Sequence, residues 1–417
     1  MLLKDSQKEV RHGNPFDILE ELLNFYALDG CPTDLPFAGG VVGYFSYDLC
    51  HFIERLPSTA VDDLQLPECY LAFYDAAVAV DHLLGKTYLI ATGLPGLTEG
   101  KRIKKAGETL KYLRGVLPRT GQFNEKSAPD TVDEGIVLKS NFSREEYLKA
   151  VAAAREYICA GDIFQVNLSQ RFETDLNIPP YELYQRLRRI NPAPFAAYLN
   201  FEEVSIVGAS PERFLKVRGD WAETRPIKGT RPRGKTKAED KALAQELLSS
   251  VKDRAENIMI VDLERNEIGR VCRYGTVRVT ETAILETFPT VFHLTSTIVG
   301  RLAPGKGRVD LLKATFPGGS ITGAPKVRAM EIIDELEPTR RSVYTGSIGY
   351  LSFAGGMDLN IVIRTILVKK GRAYFQVGGG IVYDSEPEAE YQETLDKGKA
   401  LAQALKLSSR VAVETAS

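Results

Sequence analysis

The sequence predicts a mixed α+β fold that contains much antiparallel sheet. Short apolar segments rich in β-branched and aromatic residues, separated by glycines and turns, recur along the chain. Segments with helical spacing lie among them, without the regular alternation of strand and helix that builds parallel sheets. With 417 residues, 44% of them hydrophobic, the chain can bury a large core.

The chain is predicted to have an N-terminal region packed on the core (1–118), a linker or surface loop (119–140) and a larger unit (141–410). The linker is predicted because this stretch is polar and poor in aromatic residues. In the N-terminal region, strands are predicted at 37–47, 69–80 and 87–92.

The larger unit is predicted to open with a helix at Ser143, because Ser143 and Glu146 have the spacing of a capping box. A strand is expected next, at 164–172. A long helix is predicted at 250–267, and Ser385 with Glu388 predicts a second capping box before a C-terminal helix. Strands are predicted at 359–368 and 372–377.

Composition excludes several classes of protein. The formal net charge is −2, so nothing favours a nucleic-acid partner. The five cysteines lack metal-site or disulfide spacing, which fits a reducing cytoplasm. The charged N-terminus lacks the apolar core of a signal peptide, and no apolar run approaches the ~18 residues that span a bilayer. We therefore expect a cytoplasmic protein without a membrane partner.

A basic segment at 225–235, Arg-Pro-Ile-Lys-Gly-Thr-Arg-Pro-Arg-Gly-Lys, contains the most informative residue, Lys228. Lys228 follows an apolar dipeptide and precedes Gly229, which leaves room for a ligand. Partial shielding from water would lower the pKa of its ammonium group and free the amine as a nucleophile. A solvated surface lysine is the alternative, because charge runs are mostly exposed.

Two carboxylates on predicted helices are candidate metal ligands. Glu256 is followed at helical spacing by three apolar residues, so its charge lies on an apolar stripe, where an unpaired carboxylate is costly. Glu393 lies on the C-terminal helix, four residues before Lys397. Local ion pairs with Lys252 or Arg254 and with Lys397 are one explanation. A shared magnesium ion, which commonly takes one or two carboxylates, is the other.

Two glycine-rich segments could approach a ligand through the backbone. Residues 316–326, Phe-Pro-Gly-Gly-Ser-Ile-Thr-Gly-Ala-Pro-Lys, lead into a predicted helix with proline in its first turn, an arrangement that suits an anion but lacks the lysine position of a P-loop. Residues 378–380 are three glycines after the predicted strand 372–377, without dinucleotide-binding spacing. Tight turns or bulges are the alternative for both.

Three further polar residues have two interpretations each. Arg364, predicted inside an apolar strand, could bind a substrate carboxylate or pair with an acidic residue. His293 could assist catalysis or be a satisfied core histidine. Glu212 could act as an acid or base, or form an ion pair with Arg213 or Arg225.

Several segments in order resemble the chorismate-utilising enzymes, over about residues 140–405. The segments that carry this resemblance are Ser210-Pro-Glu-Arg-Phe, Arg225-Pro-Ile-Lys-Gly-Thr, Asp253-Arg-Ala-Glu-Asn-Ile-Met-Ile-Val-Asp-Leu, Gly318-Gly-Ser-Ile-Thr-Gly-Ala-Pro-Lys, Gly378-Gly-Gly-Ile-Val and Glu390-Tyr-Gln-Glu-Thr. Residues 37–48 also resemble the N-terminal part of the family. The resemblance implies a large sandwich of two packed, largely antiparallel sheets flanked by helices, with 141–410 as the chorismate-binding catalytic domain.

Two positions separate the branches of this family. Anthranilate, isochorismate and salicylate synthases have alanine where this chain has Lys228, and the last two have a lysine base where it has Gln165. The pair Lys228 and Gln165 resembles the branch that forms 4-amino-4-deoxychorismate for p-aminobenzoate and folate synthesis.

The resemblance implies a role for each candidate residue. Lys228 would attack ring C2 of chorismate while the C4 hydroxyl leaves, and ammonia from a glutamine amidotransferase subunit would then displace the lysine. Glu212 would be the general acid and base, and His293 would assist the ring chemistry. Magnesium (Mg²⁺) would be held by Glu256 and Glu393. The substrate carboxylates would be bound by Ser320, Tyr344, Arg364, Gly378, Gly379, Gly380 and Lys397.

Two other functions compete with this interpretation. The first is component I of an anthranilate synthase, which adds nitrogen at C2 and expels pyruvate. The second is a non-catalytic regulator that binds chorismate. Filled catalytic positions argue against the regulator, because an inactive homologue need not keep them.

Overall fold

The computed structural model describes residues 2–4, 7–28, 35–96, 98–117, 137–289, 291–405 and 413–415. In these residues two large sheets pack face to face with helices around them, which confirms the predicted α+β sandwich. Cys31 and most of the predicted linker lie outside the described residues.

The first large sheet has eight strands in the described part of the chain and is antiparallel except where its outermost strand (Val413–Thr415) pairs in parallel with Leu138–Ser140. Its strand order is β21 (Val413–Thr415), β7 (Leu138–Ser140), β8 (Gln165–Asp175), β20 (Arg372–Ile381), β19 (Thr365–Lys369), β10 (Ser205–Ser210) and β9 (Phe195–Asn200), and β16 (Gly323–Ala324) pairs with β8.

The second large sheet is antiparallel throughout the described residues and has nine strands. Its order is β13 (Ile227–Pro232), β15 (Val291–Arg301), β12 (Trp221–Arg225), β11 (Arg213–Arg218), β18 (Met357–Asn360), β17 (Ser347–Ser352), β3 (Gly40–Phe45) and β4 (Cys69–Tyr74), and β14 (Arg278–Thr287) pairs with β15. Because β3 pairs with β17, N-terminal strands belong to the same sheet as strands from the larger unit.

Smaller elements complete the fold. Two-stranded pairs are formed by β1 (Leu2–Lys4) with β2 (Gln7–Glu9) and by β5 (Ala76–Asp81) with β6 (Lys86–Ala91). The segment 69–80, predicted as one strand, is therefore divided between two sheets. The helices are α1 (Pro15–Phe25), α2 (Glu99–Val116), α3 (Arg144–Ala160), α4 (Pro180–Ile190), α5 (Lys237–Ser249), α6 (Val251–Gly269), α7 (Arg308–Thr315), α8 (Lys326–Leu336) and α9 (Pro387–Ala404).

The sheets meet through buried apolar side chains. Tyr44 and Ile348 from the second sheet pack in one cluster with Ile206 and Leu367 from the first. Ile206 and Leu367 belong to this cluster, whereas their chain neighbours Val207 and Ile366 belong to another, as expected from the alternation of side chains along a strand.

Two predicted helix starts are confirmed. Ser143 accepts a hydrogen bond from the N–H of Glu146, whose carboxylate accepts one from the N–H of Ser143, so the capping box before α3 is complete. Ser250 caps α6 through the N–H of Asp253. The starts of both helices follow from local sequence, because an N-terminal cap needs only residues three positions apart.

Two local predictions are wrong. Ser385 does not cap α9; its hydroxyl donates to Glu390 at 2.6 Å, while the exposed Glu388 pairs with Arg144. The predicted strand 359–368 is interrupted between β18 and β19, and Arg364 lies in the break with φ of 52°. The apolar run is continuous in sequence, but its two halves belong to different sheets.

No helix in the described ranges is both long enough and apolar enough to cross a membrane.

Candidate active site

Lys228 lies on β13, at an irregularity in the pairing of β13 with β15. Lys228 is opposite Leu294 and Thr230 is opposite His293, so one extra residue, Gly229, is accommodated between them. Gly229 has φ of 80°, and a Cβ there would lie 2.9 Å from Leu247, so the bulge requires glycine. The bulge turns Lys228 away from regular strand geometry, and its side chain is only partly exposed.

The amine of Lys228 lies near three carboxylates, although none of them is at ion-pair distance in the described residues. Its Nζ donates a hydrogen bond to the main-chain oxygen of Ser320 at 3.1 Å. Burial lowers the pKa of Lys228 below its usual value, although the negative charges of Glu256, Glu212 and Glu393 oppose the change. Burial thus favours the neutral form of this amine, and the side chain is not fully solvated as the surface-lysine alternative would require.

Glu212 lies between β10 and β11 and is 5% exposed. The hydroxyl of Ser320 donates to its Oε1 at 2.7 Å. Burial raises the pKa of Glu212 despite this bond and the nearby Lys228. The expected ion pair is absent from the described residues, because Arg213 pairs with Asp358 and Glu223, and Arg225 pairs with Glu281 and Glu286.

Glu256 on α6 faces the same region. Its side chain is 18% exposed, and Lys252 approaches it at 4.0 Å. Burial raises the pKa of Glu256, Lys228 and Lys252 lower it, and the negative charge of Glu393 adds to the rise. The structure thus brings together two carboxylates from helices that are remote in sequence.

Glu393 and Lys397 on α9 form the ion pair anticipated from their spacing, at 2.6 Å. Burial alone would raise the pKa of Glu393, but Lys397, Lys252 and Lys228 lower it overall. The Nζ of Lys397 also donates to the main-chain oxygen of Gly378 at 2.8 Å. Lys397 therefore connects α9 to the glycine segment.

The three glycines lie inside β20 rather than in a turn after it. Gly378, Gly379 and Gly380 pair with residues 167–169 of β8, so the predicted end of the strand at 377 is wrong. A Cβ at Gly379 would lie 3.3 Å from carboxylate oxygens of both Glu390 and Glu393. The missing side chains leave a strip of bare backbone beside these carboxylates.

Gln165, at the start of β8, is completely buried beneath this strip. In the described structure neither its amide nitrogen nor its carbonyl oxygen has a hydrogen-bond partner. The side chain of Gln165 packs against Gly380, where a Cβ would collide with it. Orphaned buried polar atoms of this kind often mark a ligand-binding surface.

The segment 316–326 contacts Lys228 and Glu212 through Ser320. Ser320 lies in a short 3₁₀ turn, and α8 begins after Pro325, which occupies the position before the helix rather than its first turn. Lys326 holds the segment through the main-chain oxygens of Thr315 (2.7 Å) and Pro317 (2.5 Å) and through Glu267 at 2.6 Å.

Arg364 lies beside α9 and near Tyr344. Arg364 donates to the main-chain oxygen of Lys397, and burial lowers its pKa while Tyr344 and Glu393 oppose this. The guanidinium has no carboxylate partner at ion-pair distance in the described residues, so the structural ion pair considered for Arg364 is not observed there.

His293 lies 2.9 Å from the hydroxyl of Thr230 through its Nδ1. The histidine is 6% exposed, and burial, helped by the charge of Arg364, lowers its pKa to about 4. His293 is therefore neutral at pH 7. Its satisfied, buried setting fits a core residue as well as a catalytic one.

Sequence reasoning missed a buried ion pair behind the site. Arg341 and Glu337 are 3% and 3% exposed and bind each other at 2.7 Å, and Arg341 also donates to the main-chain oxygens of Asn167 and Ile321. The i, i+4 spacing was the available signal. This pair braces β8 against the Ser320 segment.

Comparison with known proteins places this arrangement in a family. A family model described as chorismate binding enzyme matches residues 3–403. The chain therefore belongs to the chorismate-binding enzymes, and it is a chorismate-utilising enzyme.

Individual relatives are similar over nearly the whole chain. Anthranilate synthase component 1 of Thermus thermophilus is 47% identical over 381 residues, which cover 91% of this chain and 80% of the relative. Aminodeoxychorismate synthase component 1 of Bacillus subtilis is 44% identical over 372 residues, or 89% and 78% of the two chains. The crystal structure of anthranilate synthase component I from Streptococcus pneumoniae superposes with a TM-score of 0.82 at 38% identity, covering 94% of this chain and 86% of that one.

Proposed function

We propose that this chain is an aminodeoxychorismate synthase component 1, which converts chorismate and ammonia to 4-amino-4-deoxychorismate in the cytoplasm. The observation that carries this proposal is Lys228, a partly buried amine of lowered pKa among three carboxylates. Relatives with either of two activities have similar identities, so overall similarity does not choose between them.

Lys228 would act as a nucleophile. Its neutral amine attacks ring C2, the ring double bond shifts and the C4–O bond breaks, so the adduct forms with loss of one water molecule. Ammonia then attacks C4, the double bond shifts back, and the C2–N bond breaks to release Lys228. Two easier displacements replace one difficult displacement.

Glu212 would move the protons. Burial raises its pKa, which favours the neutral acid that can protonate the departing hydroxyl as water. The resulting carboxylate can accept a proton from the incoming ammonia. Ser320, which donates to Glu212, would orient the acid toward the ring.

The carboxylates of chorismate would lie along the glycine strip. Arg364 and Lys397 supply positive charge, and the bare backbone of Gly378, Gly379 and Gly380 permits close approach. Ser320 and Tyr344 would add hydrogen-bond donors. Local cations can hold a dianion here even though the whole chain has a net charge of −2.

Glu256 and Glu393 fit a magnesium ion. They come from α6 and α9, the negative charge of Glu393 acts on Glu256, and Gly379 leaves a space beside Glu393. A magnesium site with two protein carboxylates would take its remaining oxygen ligands from chorismate and water. When bound, Mg²⁺ would neutralise a ring carboxylate and orient chorismate.

The partner would be a glutamine amidotransferase subunit that supplies ammonia. The relatives' names, component 1, support a second component. A second candidate function is anthranilate synthesis, favoured by the 47% identity to the Thermus thermophilus relative.

Product analysis tests the proposal. Purified chain is incubated with chorismate, magnesium and ammonium, and the product is identified by mass and fluorescence. We expect 4-amino-4-deoxychorismate, which is converted to p-aminobenzoate when its lyase is added. Fluorescent anthranilate together with pyruvate would establish the second candidate instead.

A further inference from the structure

A second cleft lies far from Lys228, at the other end of the second sheet. Its volume is about 450 Å³, within the range of small-molecule sites. The walls are α1, the connection between β15 and α7, the turn between β11 and β12, and the turn between β17 and β18.

This cleft is separate from the candidate active site. Glu212 immediately precedes β11, whereas Gly219, which lines the cleft, immediately follows it. A strand rises about 3.3 Å per residue, so the two ends of β11 are roughly 20 Å apart.

Apolar side chains form much of the cleft wall. Those that line it are Leu23, Leu28, Val217, Leu302, Val309 and Phe353. Most of them are also part of the main hydrophobic core, so this wall is held in place by packing. A rigid apolar wall favours a ligand with an apolar body.

Arg308 supplies an unneutralised charge. Its Nη1 donates to the main-chain oxygens of Ser352 and of Gly356 (2.8 Å for the latter), and no carboxylate in the described ranges lies at ion-pair distance. Burial lowers the pKa of Arg308 to about 10, so the group is still a cation at pH 7.

The other cations of the cleft are already paired. Arg273 binds Asp220 at 3.3 Å, and Lys306 binds Asp310 at 3.0 Å. Arg308 is therefore the cation of the cleft without a carboxylate at ion-pair distance among the described residues. Glu20, the remaining carboxylate that lines the cleft, lies beside Gly307 and is not at ion-pair distance from Arg308. A planar guanidinium in this state suits a carboxylate ligand, which can accept two parallel hydrogen bonds.

We propose that this cleft binds a small carboxylate with an apolar body, held by Arg308 and by the apolar wall around Leu23, Val217 and Phe353. The site is additional to the proposed function and does not depend on it.

Benzoate is the probe, and benzamide is its neutral control of the same shape. Binding to the full chain is measured by isothermal titration and by ligand-observed NMR. Benzoate should bind saturably, and at least tenfold more tightly than benzamide. Equal binding of the two, or no saturable benzoate binding at about 10 mM, would overturn the proposal.

Three variants locate the binding. Arg308→Gln should weaken benzoate at least tenfold. Ala354→Phe, at the exposed rim, should also weaken it at least tenfold by filling space, with basal turnover of chorismate unchanged. Arg364→Gln should leave this binding intact, because Arg364 belongs to the active site. Loss in Arg364→Gln with retention in both other variants would place benzoate on the active site and contradict the proposal.

Discussion

Ser320 contacts Lys228 and Glu212 through different groups: its main-chain oxygen accepts from Lys228 at 3.1 Å, while its hydroxyl donates to Glu212 at 2.7 Å. One residue thus fixes the candidate nucleophile and the candidate acid. The contact with Lys228 uses the main chain and does not depend on the side chain at position 320, whereas the contact with Glu212 does. A substitution at this position can therefore disturb the candidate acid separately from the candidate nucleophile.

Replacement of Lys228 by alanine should slow formation of aminodeoxychorismate by at least ~10²-fold, because the chain loses its nucleophile. Turnover is measured with chorismate, magnesium and ammonium, and circular dichroism checks the fold. Lys235→Ala is the matched control, since Lys235 is an exposed lysine of the same basic segment; it should change the rate less than about twofold. Normal turnover by the Lys228 variant would refute the nucleophilic role.

Lys228 should react with acetic anhydride at a lower pH than an ordinary lysine. Burial lowers its pKa, so competitive labelling followed by peptide mass spectrometry should give a titration midpoint below about 10.4. Glu256 raises this pKa, so Glu256→Gln should lower the midpoint further. An upward change in that variant would show that the two side chains do not interact as described.

Glu256→Gln and Glu393→Gln should each raise the magnesium concentration for half-maximal activity by roughly tenfold or more, because each removes a charged oxygen ligand. The measurement is a magnesium titration of the initial rate. Glu388→Gln is the control on the same helix as Glu393, as Glu388 is exposed and paired with Arg144. An unchanged titration in both test variants would rule out the proposed ligands.

Because His293 is buried, the free energy of unfolding should fall as the pH is lowered through a defined range. Its folded pKa of about 4 is below the unfolded value of 6.5, so between these values the unfolded chain binds more protons and stability falls as the pH decreases. From pH 8 to pH 5 the contribution amounts to about 2 kcal/mol. Urea unfolding of wild type and His293→Asn should reveal this difference; parallel pH profiles would show that His293 is not buried and neutral.

The sequence predicted helices well where the signal is local. The predicted cap at Ser143 needs only a neighbour three residues away, and it formed, and the helix predicted over 250–267 begins after Ser250. Ser385 shows the limit: its spacing to Glu388 is correct for a cap, yet its hydroxyl binds Glu390 on the following turn and α9 begins without it. The Ser385 hydroxyl had several possible hydrogen-bond partners, and residue spacing alone does not predict which of them it binds.

The arrangement of the site was harder to predict than the residues that form it. Individual residues such as Lys228 and Glu256 could be identified, but their proximity depends on the bulge at Gly229 and on how α6 packs. The apolar neighbours of Arg364 predict a continuous strand, whereas the chain crosses there from one sheet to the other. Such crossings follow from tertiary packing, which periodicity does not encode.

Covalent trapping tests the central claim most directly. The chain is incubated with chorismate and magnesium without ammonia, quenched in acid, and digested for peptide mass spectrometry. We predict that the peptide containing Lys228 gains the mass of chorismate less one water molecule, and that ammonium removes this label. A chain that turns over normally but carries the label on another residue, or none at all under rapid quench, would contradict the account.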